Sequence, residues 1–397
     1  MKSKNQQSFK LLCRDAFIAS LLIFGVLFLV KTLILSINYL NPITKSFEDF
    51  EFTDLYYSNL REKSLLVNKD IVLVNIGRES RQSIAKQIEI LNKYQPKVIG
   101  LDALFTELKD SATDEFLTKM IHDATNIVLI NEQFYNNDTK ESTILSSLPL
   151  FTHGISQGFA NFLSKKDQTI RLVAPSIILN GNEYESFSSE IVKKYSPHAY
   201  QVLKQRGREA EIIHYQNENF IKIDVEDLNH NPYLEDIIKG KIVLMGFMGD
   251  YLGDQDLEDL HLTPLNKSYG GHAIPDKYGV EIHAHIISMI LKENYINRIP
   301  SYVNFPLILL ITFLHMLLFI YVMIRHEKWS SFITKLVRII SFSLLLLFSL
   351  ILFYYFRIKV EPAFLLIVVI FSLEILSIYR SVILWLANKL NFRTYFN

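Results

Sequence analysis

Apolar residues form long unbroken runs at the two ends of the chain and short runs between them. Ala16 to Ile37 carries one charge, Lys31. About 20 apolar residues at 1.5 Å rise cross a hydrocarbon core of roughly 30 Å, so this run predicts a first transmembrane helix, residues 16–37. It is longer than a signal-peptide core, and Asn38-Tyr39-Leu40-Asn41-Pro42 offers no small-residue cleavage site, so it reads as an uncleaved anchor. Residues 303–324, 339–356 and 363–386 predict three further spans, leaving 1–15 and 387–397 as flanks. Tyr302, Trp329, Tyr354, Tyr355, Tyr379 and Trp385 fall near the predicted interfaces, where amphipathic rings concentrate.

Between the first and second spans, residues 41–302, the pattern is that of a folded domain. Asp70 to Gly77 is a β-branched apolar run with polar ends, as in a strand buried on both faces. Ile84, Ala85, Ile88 and Leu91 follow at helical spacing until Pro96, then Lys97 to Asp102 reads as a second strand. A helix near Thr113–Asp123 and a strand at Asn126–Asn131 complete a parallel βαβαβ unit. Farther on, Gly158–Leu163 and Thr169–Val173 predict a strand pair, and Ser186–Gln205 one amphipathic helix. Glu211–Tyr215 and Phe220–Ile223 predict a hairpin. Lys241–Phe247 is again a buried strand; a loop of about 30 residues leads to a helix at Val280–Lys292, and loops that long are often functional. The expected fold class is an α/β domain with a largely parallel or mixed sheet flanked by helices, joined to an all-α region of four transmembrane helices.

Charge sets the orientation. Lys2, Lys4, Lys10 and Arg14 precede the first span, Arg325, Lys328, Lys335 and Arg338 lie between the second and third, and Lys389 and Arg393 follow the fourth. The hairpin at 357–362 has only Arg357 and Lys359. The positive-inside rule then puts both termini in the cytoplasm and residues 41–302 outside it.

Composition removes several function classes. Lys+Arg and Asp+Glu balance at 41 each, which leaves no basic surplus for nucleic acid. The single cysteine, Cys13, excludes a disulfide scaffold. There is no P-loop or dinucleotide fingerprint, so no enzyme activity, no cofactor and no catalytic residue is expected.

Candidate chemistry collects at two places. In open parallel sheets ligands bind outside the carboxyl ends of the strands, which makes Asn75 to Ser80, Asp102 to Glu107 and Phe247 to Asp250 a candidate rim. An acid after a strand equally caps the next helix. The loop 247–279 adds Asp250, Asp254, Asp256, Asp259, His261 and His272, with His283 and His285 beyond it. Asp259, His261 and His283 match a three-ligand metal set, but His283 shares a helical face with Val280, Ala284, Ile287 and Leu291, which favours a histidine satisfied in the core. Within the spans, Lys31, His315 and Glu374 are costly ionisable groups. His315 and Glu374 lie at similar depth, as if to pair across helices.

Five pieces of sequence, in order, resemble the CHASE2 domain, an extracytoplasmic sensory domain of bacterial receptors. They are Asp70–Ile76 with Ser80-Arg81, Val98–Phe105 with Glu107, Gly240–Gly246, the Asp259-x-His261-x-Thr263-Pro264 motif, and Gly279–Ala284. The family's one helix before the domain and three after it match the span plan. The resemblance implies a sensor in the bacterial inner (cytoplasmic) membrane. Such receptors commonly carry an output domain after the last helix, and here about ten residues follow it, so a separate protein is expected to carry the signal. The ligand-binding candidates are Asn75, Ser80, Arg81, Asp102, Glu107, Asp250, Asp259, His261 and His283. Expected partners are the lipid bilayer, an extracytoplasmic ligand, a cytoplasmic or membrane protein, and a second copy of the chain. A docking subunit of an envelope complex and a metal-dependent hydrolase are the alternative readings.

Overall fold

The computed structural model describes residues 2–35, 54, 56–57, 66–136, 140–164, 168–254, 257–266, 274–326, 328–360 and 363–397. Asp256, His272, the first residues of the expected outer domain, the end of the first predicted span and the side chain of Lys31 lie outside the described residues. The chain divides into two compact units: Glu48–Ile296, and Met1–Phe47 with Asn297–Asn397.

After α1 (Lys2–Leu35) the α/β unit opens with β1 (Leu66–Asn75), α2 (Arg81–Lys93), β2 (Val98–Leu101), α3 (Ser111–Asp123) and β3 (Ile127–Asn136), the expected βαβαβ run. The helix starts are capped by short polar side chains: Ser80 Oγ accepts from the Ser83 amide and Asp110 from the Thr113 amide. Pro96 ends the first crossover, and Gln95 before it takes a left-handed φ of 52°.

β4 (Glu141–Ser146) turns back antiparallel on β3, and α4 (Pro149–Thr152) leads to β5 (Ser156–Phe159), parallel to β3. A peripheral layer follows: β6 (Leu163–Ser164), β7 (Ile170–Val173), the hairpin β8 (Ser176–Leu179) and β9 (Asn182–Glu185), and helices α5 (Phe187–Tyr195) and α6 (Pro197–Gln205). Then come β10 (Glu211–Ile212), β11 (Glu218–Ile223), α7 (Val225–His230), α8 (Leu234–Ile238), β12 (Ile242–Gly246), β13 (Leu260–His261), β14 (Lys277–Tyr278) and α9 (Gly279–Leu291).

The main sheet runs β11-β1-β12-β2-β3-β4 with β5 also on β3, and every pairing except β3–β4 is parallel. β12, late in the chain, is inserted between β1 and β2, in register Val72↔Val243 and Val243↔Ile99. One face carries Val72, Val74, Ile99, Leu101, Ile127 and Leu129 against Ile84, Ile88, Leu117 and Ile121 of α2 and α3 and Leu228, Leu234 and Ile238 of α7 and α8. α5 and α9 cover the other face. Strands buried on both sides explain why β1 and β12 read as continuous apolar runs. Two strand glycines let this second layer approach. A Cβ on Gly158 would stand 2.6 Å from the Phe187 backbone, and one on Gly246 would stand 2.7 Å from the Val280 Cβ.

Three expectations are corrected. The segment 186–205 is two helices, because Pro197 cannot continue the first and Ser196 before it is extended (φ −140°, ψ 89°), capping the second. Glu211–Ile212 and Glu218–Ile223 do not pair as a hairpin: the first joins β7 antiparallel, the second lies parallel to β1. Of 158–163, Gly158-Phe159 belongs to β5 in the main sheet, and only Leu163 with Ser164 pairs with β7. Short local strands of like composition leave pairing open, and the long crossover supplies the better-buried partner.

The helical unit contains α1, β15 (Asn297–Arg298), α10 (Ser301–Arg325), α11 (Ser330–Phe356), β16 (Ile358–Lys359) and α12 (Ala363–Leu390). Four segments, Ser8–Val30, Ser301–Arg325, Ser330–Phe356 and Phe364–Leu390, are long and apolar enough to cross a membrane. Ala16, Ala19 and Ile23 of α1 pack with Met316, Phe319 and Ile320 of α10 and Val368, Leu376 and Tyr379 of α12. The small alanines permit close helix contact. β15 and β16 pair in parallel, Arg298 opposite Lys359, so the segment leading into α10 is tied to the turn between α11 and α12.

Candidate functional site at the strand ends

The carboxyl ends of β1, β12 and β2 lie side by side, and the expected rim residues divide there into two groups. The first group builds the rim. Asn75, fully buried, accepts from the amides of Gly77 (3.0 Å) and Met248 (2.8 Å), and its Nδ2 donates to the Gly249 carbonyl (3.0 Å) and Asp224 Oδ1 (3.1 Å). One amide side chain thus fixes the loops after β1 and β12. Ser80 is the α2 cap. Arg81 is buried, pairs with Asp114 at 2.6 Å, donates to the Glu107 carbonyl at 2.8 Å and lies over the rings of Phe105 and Phe151. Glu107 itself is exposed and enters through its backbone. Asp250 is exposed and pairs with Arg78 at 2.8 Å.

The second group converges. Asp102 follows β2, its amide bonded to the Met245 carbonyl, and its Cβ lies 3.3 Å from where a Cβ on Gly246 would stand. Its carboxyl is pushed up to about 7, first by burial, then by the nearby charges of Asp259 and Glu132. Asp259 adopts a left-handed φ of 56° and lays its carboxylate against Gly279, the first residue of α9, where the helix dipole favours an anion. His261 Nε2 is 3.4 Å from Asp259 Oδ1. Phe162 joins the two histidines, its ring centroid 5.5 Å from His261 and 4.6 Å from His283. His283 is buried, shares a hydrogen bond of 3.0 Å between Nδ1 and Ser188 Oγ, and is held neutral down to about 3 by burial and then by His261.

The loop is clamped from behind. The Thr263 amide and hydroxyl donate to the two oxygens of Asp276 at 2.8 and 2.7 Å, and the Asp276 amide donates to the His261 carbonyl. Burial raises the Asp276 carboxyl to about 6 against those hydrogen bonds, which lower it. The Asp-x-His-x-Thr-Pro motif therefore places one acid and one histidine on the rim and uses its threonine to hold them there. Residue patterns did not single out Glu132, Phe162 or Asp276. Glu132 was the most accessible of these, being the residue just past a predicted strand.

This arrangement can exchange a proton at Asp102 near neutral pH and can offer hydrogen bonds to a polar ligand. Among the described residues, no three His, Cys, Asp or Glu side chains are grouped to hold a metal ion, and His283 is engaged with Ser188.

In the helical unit His315 and Glu374 do not pair. His315 Nδ1 bonds to the Ile311 carbonyl at 2.9 Å, while Glu374 takes Arg338 at 2.8 Å. Arg338, expected in a loop, lies inside α11, because that helix already starts at Ser330.

The family model described as the CHASE2 domain matches residues 25–323. Comparison with curated proteins and with solved structures finds no match.

Proposed function

Because the chain belongs to the CHASE2 domain family, we propose that it is a multi-pass membrane receptor whose α/β unit senses a ligand outside the cytoplasm. The observation that carries this reading is the span of the match, 25–323, which takes in the α/β unit together with helix on either side of it. Lys and Arg are concentrated at 2–14, 325–338 and 389–393, which favours cytoplasmic termini in an inner membrane. The ligand site of this reading is the second rim group, Asp102, Asp259 and His261, backed by His283. Asn75, Ser80, Arg81, Glu107 and Asp250 shape the loops that present it. A ligand that favours one arrangement of these loops shifts the population of domain states by no more than its differential affinity. The change leaves through residues 297–300, which the β15–β16 pairing ties to both α10 and the α11–α12 turn, and reaches a partner protein at the basic cytoplasmic segments.

The test is native mass spectrometry of the full chain extracted from its own membranes. The wild type is expected to release a bound small molecule on activation, and the Asp102→Asn/His261→Ala variant to have lost it. Identical spectra for the two would contradict a ligand site at the rim.

A further inference from the structure

The Arg338–Glu374 pair stands on the outside of the helical unit. Arg338 Nη1 donates to both Glu374 oxygens, at 2.8 and 3.1 Å, and to the Ile370 carbonyl at 2.8 Å. Even so, the Glu374 side chain is 57 % exposed and that of Arg338 24 %. Glu374 sits near the middle of the Phe364–Leu390 span. Ionisable groups inside a membrane nearly always face protein or a water-filled cavity, because hydrocarbon offers no hydrogen bonds. Here more than half of a carboxylate side chain faces outward between Ile370, Phe371 and Ile378, all exposed.

We propose that this face of α11 and α12 is the surface on which two copies of the chain meet in the membrane. The proposal rests on the reading that both helices cross lipid. Charge decides the occupant. The face presents a guanidinium whose Nε and Nη2 meet no acceptor among the described residues, beside a half-exposed carboxylate, so it is complementary to itself across a two-fold axis. Arg338 of each copy then serves the outward oxygens of the other copy's Glu374, closing a ring of four alternating charges. A lone helix from a different protein would have to bring its own acid and base at matching depth. The same stripe of α12 continues with Ser377 and Ser381, exposed one and two turns beyond Glu374, and small hydroxyl residues let helix backbones approach in lipid. α11 is also the least covered of the four spans, with 11 % of its apolar stretch buried against 28–39 % in the others.

Oxidative cross-linking of the full chain in native membranes tests this, with Cys13→Ala removing the one natural thiol. Ser377→Cys and Ser381→Cys are placed on the stripe, and Leu314→Cys on α10, 53 % exposed, is the control facing elsewhere. The expected result is a covalent dimer of the chain at one or both serine positions and none at Leu314, lost when Arg338→Gln and Glu374→Gln are introduced together. Monomer at all three positions overturns the proposal, as does cross-linking at Ser377 or Ser381 to a different protein or equal dimer formation at Leu314. Förster transfer between differently labelled copies of the unsubstituted chain provides the second readout: absence of transfer in dilute vesicles overturns it as well, without relying on any variant to fold.

Discussion

Arg81 and Asp114 form an ion pair of 2.6 Å in which both side chains are shut away from solvent, 7 % and 4 % exposed. The guanidinium joins the start of α2 to α3 and, through the Glu107 carbonyl, to the loop after β2. Removing one partner strands the other charge in the interior, whereas replacing both with apolar groups of similar size does not. Arg81→Met is therefore expected to lower the melting temperature of the full chain strongly. Arg81→Met with Asp114→Leu is expected to recover most of the loss. The Lys109 amide, and then Arg81, hold the Asp114 carboxyl below its ordinary 3.8, so its stabilisation is present above that value and fades as pH falls through the lowered one.

Asn75 carries four hydrogen bonds. Asn75→Leu leaves the Gly77 and Met248 amides without acceptors, at about 1–3 kcal/mol for each buried group. Hydrogen exchange read by mass spectrometry should show those two loops exchanging faster, with the α3 and β3 peptides unchanged. Equal protection across the rim would contradict the role given to Asn75.

Gly246→Ala places a methyl group 2.7 Å from the Val280 Cβ and 3.3 Å from the Asp102 Cβ. Both are Cβ atoms, which no rotamer change can move aside, so overpacking should cost about 1–3 kcal/mol. Adding Val280→Ala should return part of this in a denaturant titration. Gly100→Ala is expected to cost less, because it first meets the tip of the Ile191 side chain.

The rim groups give stability a pH dependence with two opposing parts. Asp102 moves from 3.8 to about 7 on folding, so between those values the folded chain keeps a proton that the unfolded chain has released, and stability falls as pH rises. Asp276, raised to about 6, acts in the same direction. His283 acts oppositely: it is neutral in the fold down to about 3 and protonated in the unfolded chain below 6.5, so its contribution rises with pH over that window. Asp102→Asn should match the wild type below 3.8 and melt higher above about 7. Identical melting profiles across that range would contradict the burial assigned to Asp102.

Much of the framework was legible in the residues, and what was not has identifiable causes. β1, β2 and β12 were readable because strands buried on both faces are apolar throughout, and the four spans because lipid demands length. The peripheral strands β6 to β10 are only two to four residues long, so their pattern fixes neither pairing nor register. The β8–β9 hairpin does carry a local signal, its Asn180-Gly181 turn with φ of 51° and 80°. At the rim, Asp102, Asp259, His261 and His283 were named from position after a strand and from motif. That Asn75, Ser80 and Arg81 hold the loops depends on partners 2 to 174 residues away, which spacing alone does not supply.

The central claim is that the α/β unit faces away from the cytoplasm. Membrane-impermeant maleimide, applied to cells whose outer envelope has been opened, tests it most directly. In a Cys13→Ala chain, Leu108→Cys, at a site 67 % exposed in the α/β unit, should label at once, and Lys328→Cys, exposed between α10 and α11, only after the inner membrane is breached. Labelling of Lys328→Cys in intact spheroplasts with Leu108→Cys protected would contradict the account.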